Sequence, residues 1–269
     1  MSDNISKNIV DNDQSNNKIK VALLTLATSK QRDNWVTIKD SYLFNMTLKT
    51  FLLTMDKEHD YQVYVGIDKN DRIFDKTDQQ NEITRFSKVF PNVEIIFRTM
   101  ENIEKGYVTL MWNKIFEEAY NNNCDYFYQC GDDMIFKTKG WINDCIKVLK
   151  SNNNIGLVGP INNNNRILTQ AFVSRKHMEI FGWFFPKEIK NWCCDDFYCK
   201  LYHPKYLYPL QNHYAVNMGG QPRYDINNNP RFSGPNQITF ANNVQKLREE
   251  TFKLADKYKP LIEKYINNH

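Results

Sequence analysis

Short apolar runs alternate with stretches of helical periodicity along the first half of this chain. The runs are of strand length and nearly continuous in apolar residues, which is typical of parallel strands buried on both faces. Between them, apolar residues recur at three- and four-residue spacing, which predicts helices. The predicted strands cover 18–27, 61–67 and 93–97, and the predicted helices cover 35–55, 78–90 and 106–120.

The same alternation continues through the second half and then ends. A strand runs from Asp125 to Phe136 and is interrupted by two adjacent acids. The pattern then predicts strands at 155–159 and 167–173, helices at 139–150 and 175–181, an irregular region at 203–235 and an amphipathic helix at 237–266. Alternating strands and helices predict an α/β fold, a mostly parallel sheet flanked by helices, here with a C-terminal helical tail.

Length and composition favour one large domain with two extensions. The chain has 269 residues, of which 41% are hydrophobic, and this is enough to build a sizeable core. Residues 1–17 are polar and rich in Asn, which predicts a disordered leader. We therefore expect a catalytic domain at 18–235 and a C-terminal helix at 236–269 packed on it.

Charge and cysteine content limit the classes of partner. The formal net charge is +4, and no run of Lys or Arg forms a basic patch, which argues against nucleic acid and is compatible with a phosphate-bearing ligand. The six cysteines lack zinc-ligand spacing, so we expect reduced thiols in a cytosol-like compartment. No signal peptide or apolar run of about 18 residues is present, which predicts a cytoplasmic protein without a transmembrane segment.

The acids that interrupt the strand stand in the tripeptide Gly131-Asp132-Asp133. Two carboxylates at the end of a buried strand are costly unless a positive charge lies beside them. A hard cation such as Mg²⁺ or Mn²⁺ prefers oxygen ligands and often takes a phosphate as a further ligand. The alternative is a solvated turn, where Gly-Asp and Asp-Asp are common.

Other polar groups follow the ends of neighbouring predicted strands. The loop from Thr28 to Arg32 follows the first strand, and Asp68 follows the second. In parallel sheets, ligands bind where the strands end at their carboxyl termini. This convergence favours the cation site over the solvated turn. A second acidic pair, Asp195-Asp196, lies among aromatic residues, most of which we expect in the core.

The order of these parts resembles the GT-A class of nucleotide-sugar glycosyltransferases over roughly residues 18–215. The resemblance is carried by YVTLMWNKIFEEA, YFYQCGDDMIF and FFPKEIKNWCCDDFYCKLY. It implies a DxD motif whose acids hold Mn²⁺ or Mg²⁺ on the donor diphosphate. Here Gly131 replaces the usual first acid, so the resemblance places the metal on Asp133 with Asp132 assisting. It also implies a metal-binding His, for which His213 is the candidate and His203 the reserve.

The resemblance implies further roles. Of the pair Asp195-Asp196, Asp196 is favoured for the position of the general base for an acceptor hydroxyl, because it directly precedes the aromatic Phe197; Trp192 is the candidate in the acceptor site. A nucleotide-sugar donor, with UDP favoured, would be held by a set of cofactor-binding residues at the strand ends. That set is Thr25, Thr28, Arg32, Asp68, Lys105, Asn113 and Asp132.

The activity implied is a metal-dependent, inverting sugar transfer of the hexosyltransferase class to a glycan, protein or small-molecule acceptor. A catalytically degenerate relative that only binds nucleotide or glycan is the main alternative, because of Gly131. A sugar-nucleotide pyrophosphorylase is disfavoured, since TLATSKQRDNW is not a Gly-rich signature. The sequence does not decide the sugar, the nucleotide, the acceptor, inversion against retention, or the oligomeric state.

Overall fold

A computed structural model describes residues 18–218 and 237–269, which form a mostly parallel eight-stranded sheet with helices on both faces. The strands are β1 (Lys20–Ala27), β2 (Asp60–Asp68), β3 (Val93–Met100), β4 (Tyr126–Gly131), β5 (Met134–Phe136), β6 (Leu157–Ile161), β7 (Ala171–Ser174) and β8 (Leu207–Asn217). The helices are α1 (Lys49–Thr54), α2 (Thr77–Ser87), α3 (Val108–Asn121), α4 (Trp141–Ser151), α5 (Lys176–Phe181), α6 (Cys194–Tyr202), α7 (Gln237–Tyr258) and α8 (Pro260–Asn268).

The strand order is β3-β2-β1-β4-β7-β6-β8-β5. Strands β1 to β4 are mutually parallel, and β7 runs antiparallel to both of its neighbours, β4 and β6. Strand β8 is parallel to β6, and β5 pairs antiparallel with β8. Strands β1, β2, β3, β4 and β6 therefore all end at one edge of the sheet, which we call the carboxyl edge.

Two apolar clusters cover the two faces of the sheet. Val21 and Leu23 of β1 belong to the cluster formed with α1, α2 and α4. Ala22 and Leu24 belong to the opposite cluster, formed with α3, α6 and the C-terminal helices. Because side chains alternate between faces along a strand, a strand covered on both sides is apolar at nearly every position. This explains the continuous apolar runs in the sequence.

The predicted fold class is confirmed, with two local corrections. The helix predicted at 35–55 is instead a 3₁₀ turn at Ile38–Asp40, a π-helix at Leu43–Leu48 and the short α1. The prediction of irregular structure from 203 was wrong for β8, an 11-residue strand. Several β8 side chains are exposed and polar and Pro209 interrupts the pattern, so this strand has no apolar run. Residues 1–17 and 219–236, on which the leader and loop predictions fall, lie outside the described residues.

The C-terminal tail consists of two helices that meet at Pro260. Ala255 and Ile262 are fully buried in the cluster shared with α3 and α6, and Lys200 of α6 pairs with Asp256 at 3.4 Å. The tail thus packs on the helical face that carries the second acidic pair. No helix within the described ranges is long and apolar enough to cross a membrane. All six cysteines are free thiols.

Candidate active site

Asp71 fixes the first two loops of the carboxyl edge to each other. Its carboxylate accepts hydrogen bonds from the Thr28 hydroxyl at 3.0 Å and from the Ser29 amide and hydroxyl, both at 2.8 Å. Burial would raise the pKa of Asp71, but amide donors including those of Phe74 and Ser29 outweigh it and hold the pKa below its usual value. Sequence reasoning missed Asp71, which stands among other polar loop residues.

The structure places three of the four cofactor-binding residues predicted on or after the first two strands at the carboxyl edge. Thr28 and Arg32 lie in the loop after β1, and Asp68 is the last residue of β2. The Arg32 guanidinium lies 5.2 Å from the centre of the Tyr42 ring. Thr25, in contrast, is fully buried within β1, and its hydroxyl has no hydrogen-bond partner among the described residues. Thr28, Arg32 and Asp68 are thus brought to the carboxyl edge, whereas Thr25 is not.

The first acidic pair forms a tight turn between β4 and β5, shaped by Thr47 of the π-helix. The Thr47 hydroxyl accepts a hydrogen bond from the amide of Met134 at 3.0 Å and donates one to the carbonyl of Gly131 at 3.2 Å. One side chain therefore holds both ends of the turn. A π-helix often marks a functional segment, but no local pattern in the sequence distinguishes this Thr from other helical residues.

The turn brings the Asp133 carboxylate against position 131. A Cβ atom built there would collide with the carboxylate oxygen Oδ1 of Asp133. Asp132 is fully buried, and Asp133 is 9% exposed. Glycine thus leaves the space that the Asp133 carboxylate occupies.

These residues fit a divalent cation only if a ligand supplies further oxygens. Within residues 18–218 and 237–269 no group of three or more His, Cys, Asp or Glu side chains could hold a metal ion. Mg²⁺ is commonly bound through one or two carboxylates together with substrate phosphates and water, so a pair of acids is sufficient for that mode. Asp132 and Asp133 would provide the hard oxygen ligands this requires.

His213 lies away from this turn. Its Nε2 is 2.7 Å from Asp144 Oδ2, and its Nδ1 is 3.1 Å from the Thr138 hydroxyl. The Met218 amide bonds the carbonyl of Asp133 at 3.0 Å, and His213 precedes Met218 by five residues. Extended chain covers about 16 Å over that length. The geometry therefore does not bring His213 to Asp133, and the reserve candidate His203 is an exposed residue at the end of α6.

Helix α3 positions the loop that leads into α6. The Asn113 side chain accepts the amides of Phe184 at 3.0 Å and Phe185 at 2.8 Å, and it donates to the Phe185 carbonyl at 2.7 Å. The Thr109 amide donates to the carbonyl of Lys190 at 3.1 Å. These bonds give Asn113 a positioning role for the loop rather than an amide directed at a ligand. Lys105 is exposed in the loop before α3.

The second acidic pair occupies the first turn of α6, and its two members have different surroundings. Asp196 Oδ1 accepts Arg166 Nη1 at 2.6 Å and Arg248 Nε at 3.1 Å, and the Asp196 side chain is only 5% exposed. Asp195 is partly exposed and accepts the Asp196 amide at 3.1 Å. Loss of hydration raises the pKa of Asp195 to about 6, and the charge of Asp196 adds to the rise. Asp195 thus has a pKa near the operating pH, which suits a general base.

Hydrogen bonds link the surroundings of the two acidic pairs. Asn163, in the loop after β6, exchanges two hydrogen bonds of 2.9 Å with the backbone of Asn217, which directly precedes the partner of Asp133. Arg166 of the same loop binds Asp196. The arginines that bind Asp196 could not be found from sequence, because they lie 30 and 52 residues away from it.

The aromatic residues around the second acidic pair lie mostly in the core, as expected from the sequence. Phe184, Phe185, Phe197 and Tyr198 are each at most 1% exposed. Trp192 is partly exposed and lies two residues before α6, so it remains the aromatic candidate for an acceptor site.

The described fold matches solved glycosyltransferases. S. aureus TarS 1–349 in complex with UDP-GlcNAc superposes with a TM-score of 0.52 and 13% identity, covering 76% of this chain and 60% of that one. The mannosyltransferase PcManGT from Pyrobaculum calidifontis, in complex with GDP-Man and Mn²⁺, gives a TM-score of 0.50 and 11% identity, covering 74% and 56%. No protein-family model and no curated protein matches the chain in sequence.

The match covers only part of each of these proteins. S. aureus TarS itself gives a TM-score of 0.50 at 12% identity, and the chain spans 37% of its length. At such identities the likeness establishes the α/β glycosyltransferase fold. What the chain binds and transfers follows from its own residues and is proposed below.

Proposed function

We propose that this protein is a glycosyltransferase that moves a sugar from a nucleotide-diphosphate sugar to an acceptor hydroxyl. The observation that carries the proposal is the placement of the acidic turn and the first turn of α6 around one edge of a glycosyltransferase fold. In open α/β sheets, ligands bind at that edge. The neighbours that hold UDP-GlcNAc, or GDP-Man with Mn²⁺, support the same donor class.

The donor occupies the ends of β1 to β4. Asp68 accepts hydrogen bonds from the base or ribose, and the Thr28–Arg32 loop contributes an arginine whose planar fork suits phosphate. Lys105 adds a second cation near the diphosphate. Asp133, with Asp132, would hold Mn²⁺ or Mg²⁺, and the cation would supply positive charge to stabilise the leaving diphosphate.

Asp195 acts on the acceptor. The acceptor oxygen forms a bond to the anomeric carbon, the bond between that carbon and the diphosphate oxygen breaks, and the hydroxyl proton passes to the Asp195 carboxylate. The diphosphate leaves with the bonding electrons, and attack from the opposite face inverts the anomeric centre. Asp196 lies between Arg166 and Arg248, and its charge adds to the effect of burial in raising the pKa of Asp195.

A binding protein without turnover is the second candidate, because Gly131 replaces the first acid of the motif. The contact between position 131 and Asp133 disfavours it, since the glycine makes room for a carboxylate that can still bind a cation. Binding of the donor without release of nucleoside diphosphate, at every pH and with every acceptor class, would favour the binding protein.

Thermal unfolding with a panel of nucleotides tests the donor site. UDP, GDP, UDP-GlcNAc and GDP-mannose are each added with and without Mn²⁺. A ligand at a hundred times its Kd stabilises the folded protein by about 2.7 kcal/mol, which is a rise in Tm of roughly 5–10 °C for a chain of this size. We expect such a rise for one nucleotide class, with Mn²⁺ required.

The variant Asp133→Asn should lose this rise, while Asp78→Asn, an exposed acid on α2, should keep it. No shift with any nucleotide in either condition would contradict the proposed function. An equal nucleotide-induced rise in Tm in the two variants would contradict the assignment of the metal to Asp133.

A further inference from the structure

A cavity of about 470 Å³ lies beside the second acidic pair, with Asp196 in its wall. The loop after β6, α6, β8 and α7 enclose it. Its volume is in the range of small-molecule sites and is sufficient for one or two sugar units. We call it the α6 cavity.

Arg166 provides an anchored anion-binding group in this cavity. Its guanidinium donates one hydrogen bond from Nη1 to Asp196, yet the side chain remains 50% exposed and lines the cavity. A guanidinium carries five N–H donors, so the fixed group retains further donors for a ligand. The bond to Asp196 holds the fork in place and reduces the entropy lost when an anion binds.

Positive charge exceeds negative charge around the α6 cavity. Arg166 and Arg248 share the single carboxylate of Asp196. Lys200, one turn after Asp196 on α6, also lines the cavity and pairs with Asp256 at 3.4 Å. Among the Asp, Glu, Lys and Arg side chains that line the cavity, Arg166 and Lys200 are cationic and Asp196 is anionic, which favours a ligand with one negative charge.

The remaining walls suit a saccharide. Asn165 and Gln211 are exposed amides at the rim, which can donate to and accept from sugar hydroxyls. Leu168, Leu207 and Phe252 form apolar walls for the C–H faces of a ring. A site with apolar walls and a few fixed polar groups is typical of small-molecule recognition.

We propose that the α6 cavity binds an anionic sugar unit of the acceptor, bearing a carboxylate or a phosphate that pairs with Arg166. This rests on the proposed function, because Asp195, the proposed base, is the residue next to Asp196 in the first turn of α6. The reacting hydroxyl would lie on the sugar that faces Asp195, and the anionic unit would lie in the cavity.

Equilibrium binding to the full chain, without nucleotide, tests the cavity separately from turnover. The probes are methyl β-D-glucuronide, glucose 6-phosphate and the neutral methyl β-D-glucoside, measured by calorimetry or ligand-detected NMR. At least one anionic probe should bind tenfold or more tightly than the neutral glucoside, and its affinity should fall with added salt. The glucuronide and the phosphate distinguish the two sources of charge.

Two variants locate the binding. Arg166→Gln should remove the preference for the anionic probes. Gln211→Trp changes an exposed position on β8 at the rim and should block every probe without touching Asp196. If Arg166→Gln fails to fold, Gln211→Trp and the salt dependence still decide the result. Equal binding of anionic and neutral probes, or unchanged binding in Gln211→Trp, would overturn the proposal.

The donor-induced rise in Tm, measured on the same preparations, keeps the two proposals apart. If a nucleotide raises the Tm but no anionic probe binds selectively, only the proposed anion site in the α6 cavity is rejected. If no nucleotide raises the Tm of the unmodified protein, the proposed transferase activity is rejected, whatever the probes do.

Discussion

The chain contains two Asp-Asp pairs, and the fold gives them opposite surroundings. In the turn between β4 and β5 the first acid, Asp132, is fully buried and the second, Asp133, retains 9% exposure. In α6 the order is reversed, since Asp196 is buried against two arginines and Asp195 is partly exposed. The more exposed acid is therefore the second of the pair in the turn and the first of the pair in α6.

The difference lies in what neutralises each pair. The α6 pair receives its positive charge from the protein through Arg166 and Arg248. Burial, together with the charge of Asp196, raises the pKa of Asp195, which suits this carboxylate to accepting a proton. The turn pair is shaped by a hydroxyl, that of Thr47, and by the space above Gly131. We infer that the turn holds the donor through a cation and that α6 performs the proton transfer.

The largest expected effect is on turnover in Asp195→Asn. Removal of a general base costs about 10²–10⁴-fold in rate, so kcat should fall by that factor while donor affinity stays unchanged. In the unmodified protein, kcat should decline on the acid side with a pKa near that of Asp195, about 6. Release of nucleoside diphosphate in the presence of acceptor measures both. A variant that retains more than a tenth of the activity would contradict the role of Asp195.

The matched variant Asp196→Asn should act mainly on stability. It removes the charge that binds Arg166 and Arg248, and hydrogen bonds to charged groups are worth about 1.5–3 kcal/mol each, less where Arg166 is half exposed. We expect a loss of roughly 1–3 kcal/mol in the free energy of urea unfolding. Arg248→Gln should produce a smaller part of the same loss. Unchanged stability in both variants would show that the ion pairs do not hold α7 on α6.

The pH dependence of stability should distinguish the same two acids. The pKa of Asp195 is raised from 3.8 to about 6 in the folded protein, so folding is favoured by this group at low pH and loses that contribution as the pH rises from about 4 to 6. Asp195→Asn removes this titration, so the stability of the variant relative to the unmodified protein should increase by roughly 1–3 kcal/mol as the pH rises from 4 to 7. Urea unfolding of both proteins at pH 4 and at pH 7 measures this difference. A difference of the same size at the two pH values would contradict the raised pKa of Asp195.

The smallest expected effect is that of Gly131→Ala. The added Cβ must displace the Asp133 carboxylate, so the affinity for donor with Mn²⁺ should fall by about tenfold, equivalent to about 1.4 kcal/mol. Gly159→Ala in β6 is the control, since its Cβ would meet neighbours only at 3.6 Å or more. Equal affinity in Gly131→Ala and the unmodified protein would mean that the space above position 131 has no role in donor binding.

Local patterns were sufficient to predict most of the fold. The buried strands β1, β2 and β4 and helices α3 and α4 follow from apolar periodicity, because each is covered on the faces that the sequence makes apolar. Strand β8 could not be predicted, since its side chains are largely exposed and its pairing with β6 is long-range.

The candidate site was predictable only in part. The two acidic pairs stand out because acids interrupt aromatic and apolar segments. The groups that decide which acid is accessible, Thr47, Arg166 and Arg248, come from distant segments and carry no local pattern. For that reason the sequence favours Asp196 as the base, whereas the contacts of the folded chain favour Asp195.

The most direct test of the division between the two pairs is a calorimetric titration of donor in the presence of Mn²⁺. The donor is the nucleotide-sugar that gives the largest rise in Tm, and the proteins are the unmodified chain, Asp133→Asn and Asp195→Asn. We predict at least a tenfold loss of affinity in Asp133→Asn and an unchanged Kd in Asp195→Asn. Unchanged affinity in Asp133→Asn, or an equal loss in both variants, would contradict the account.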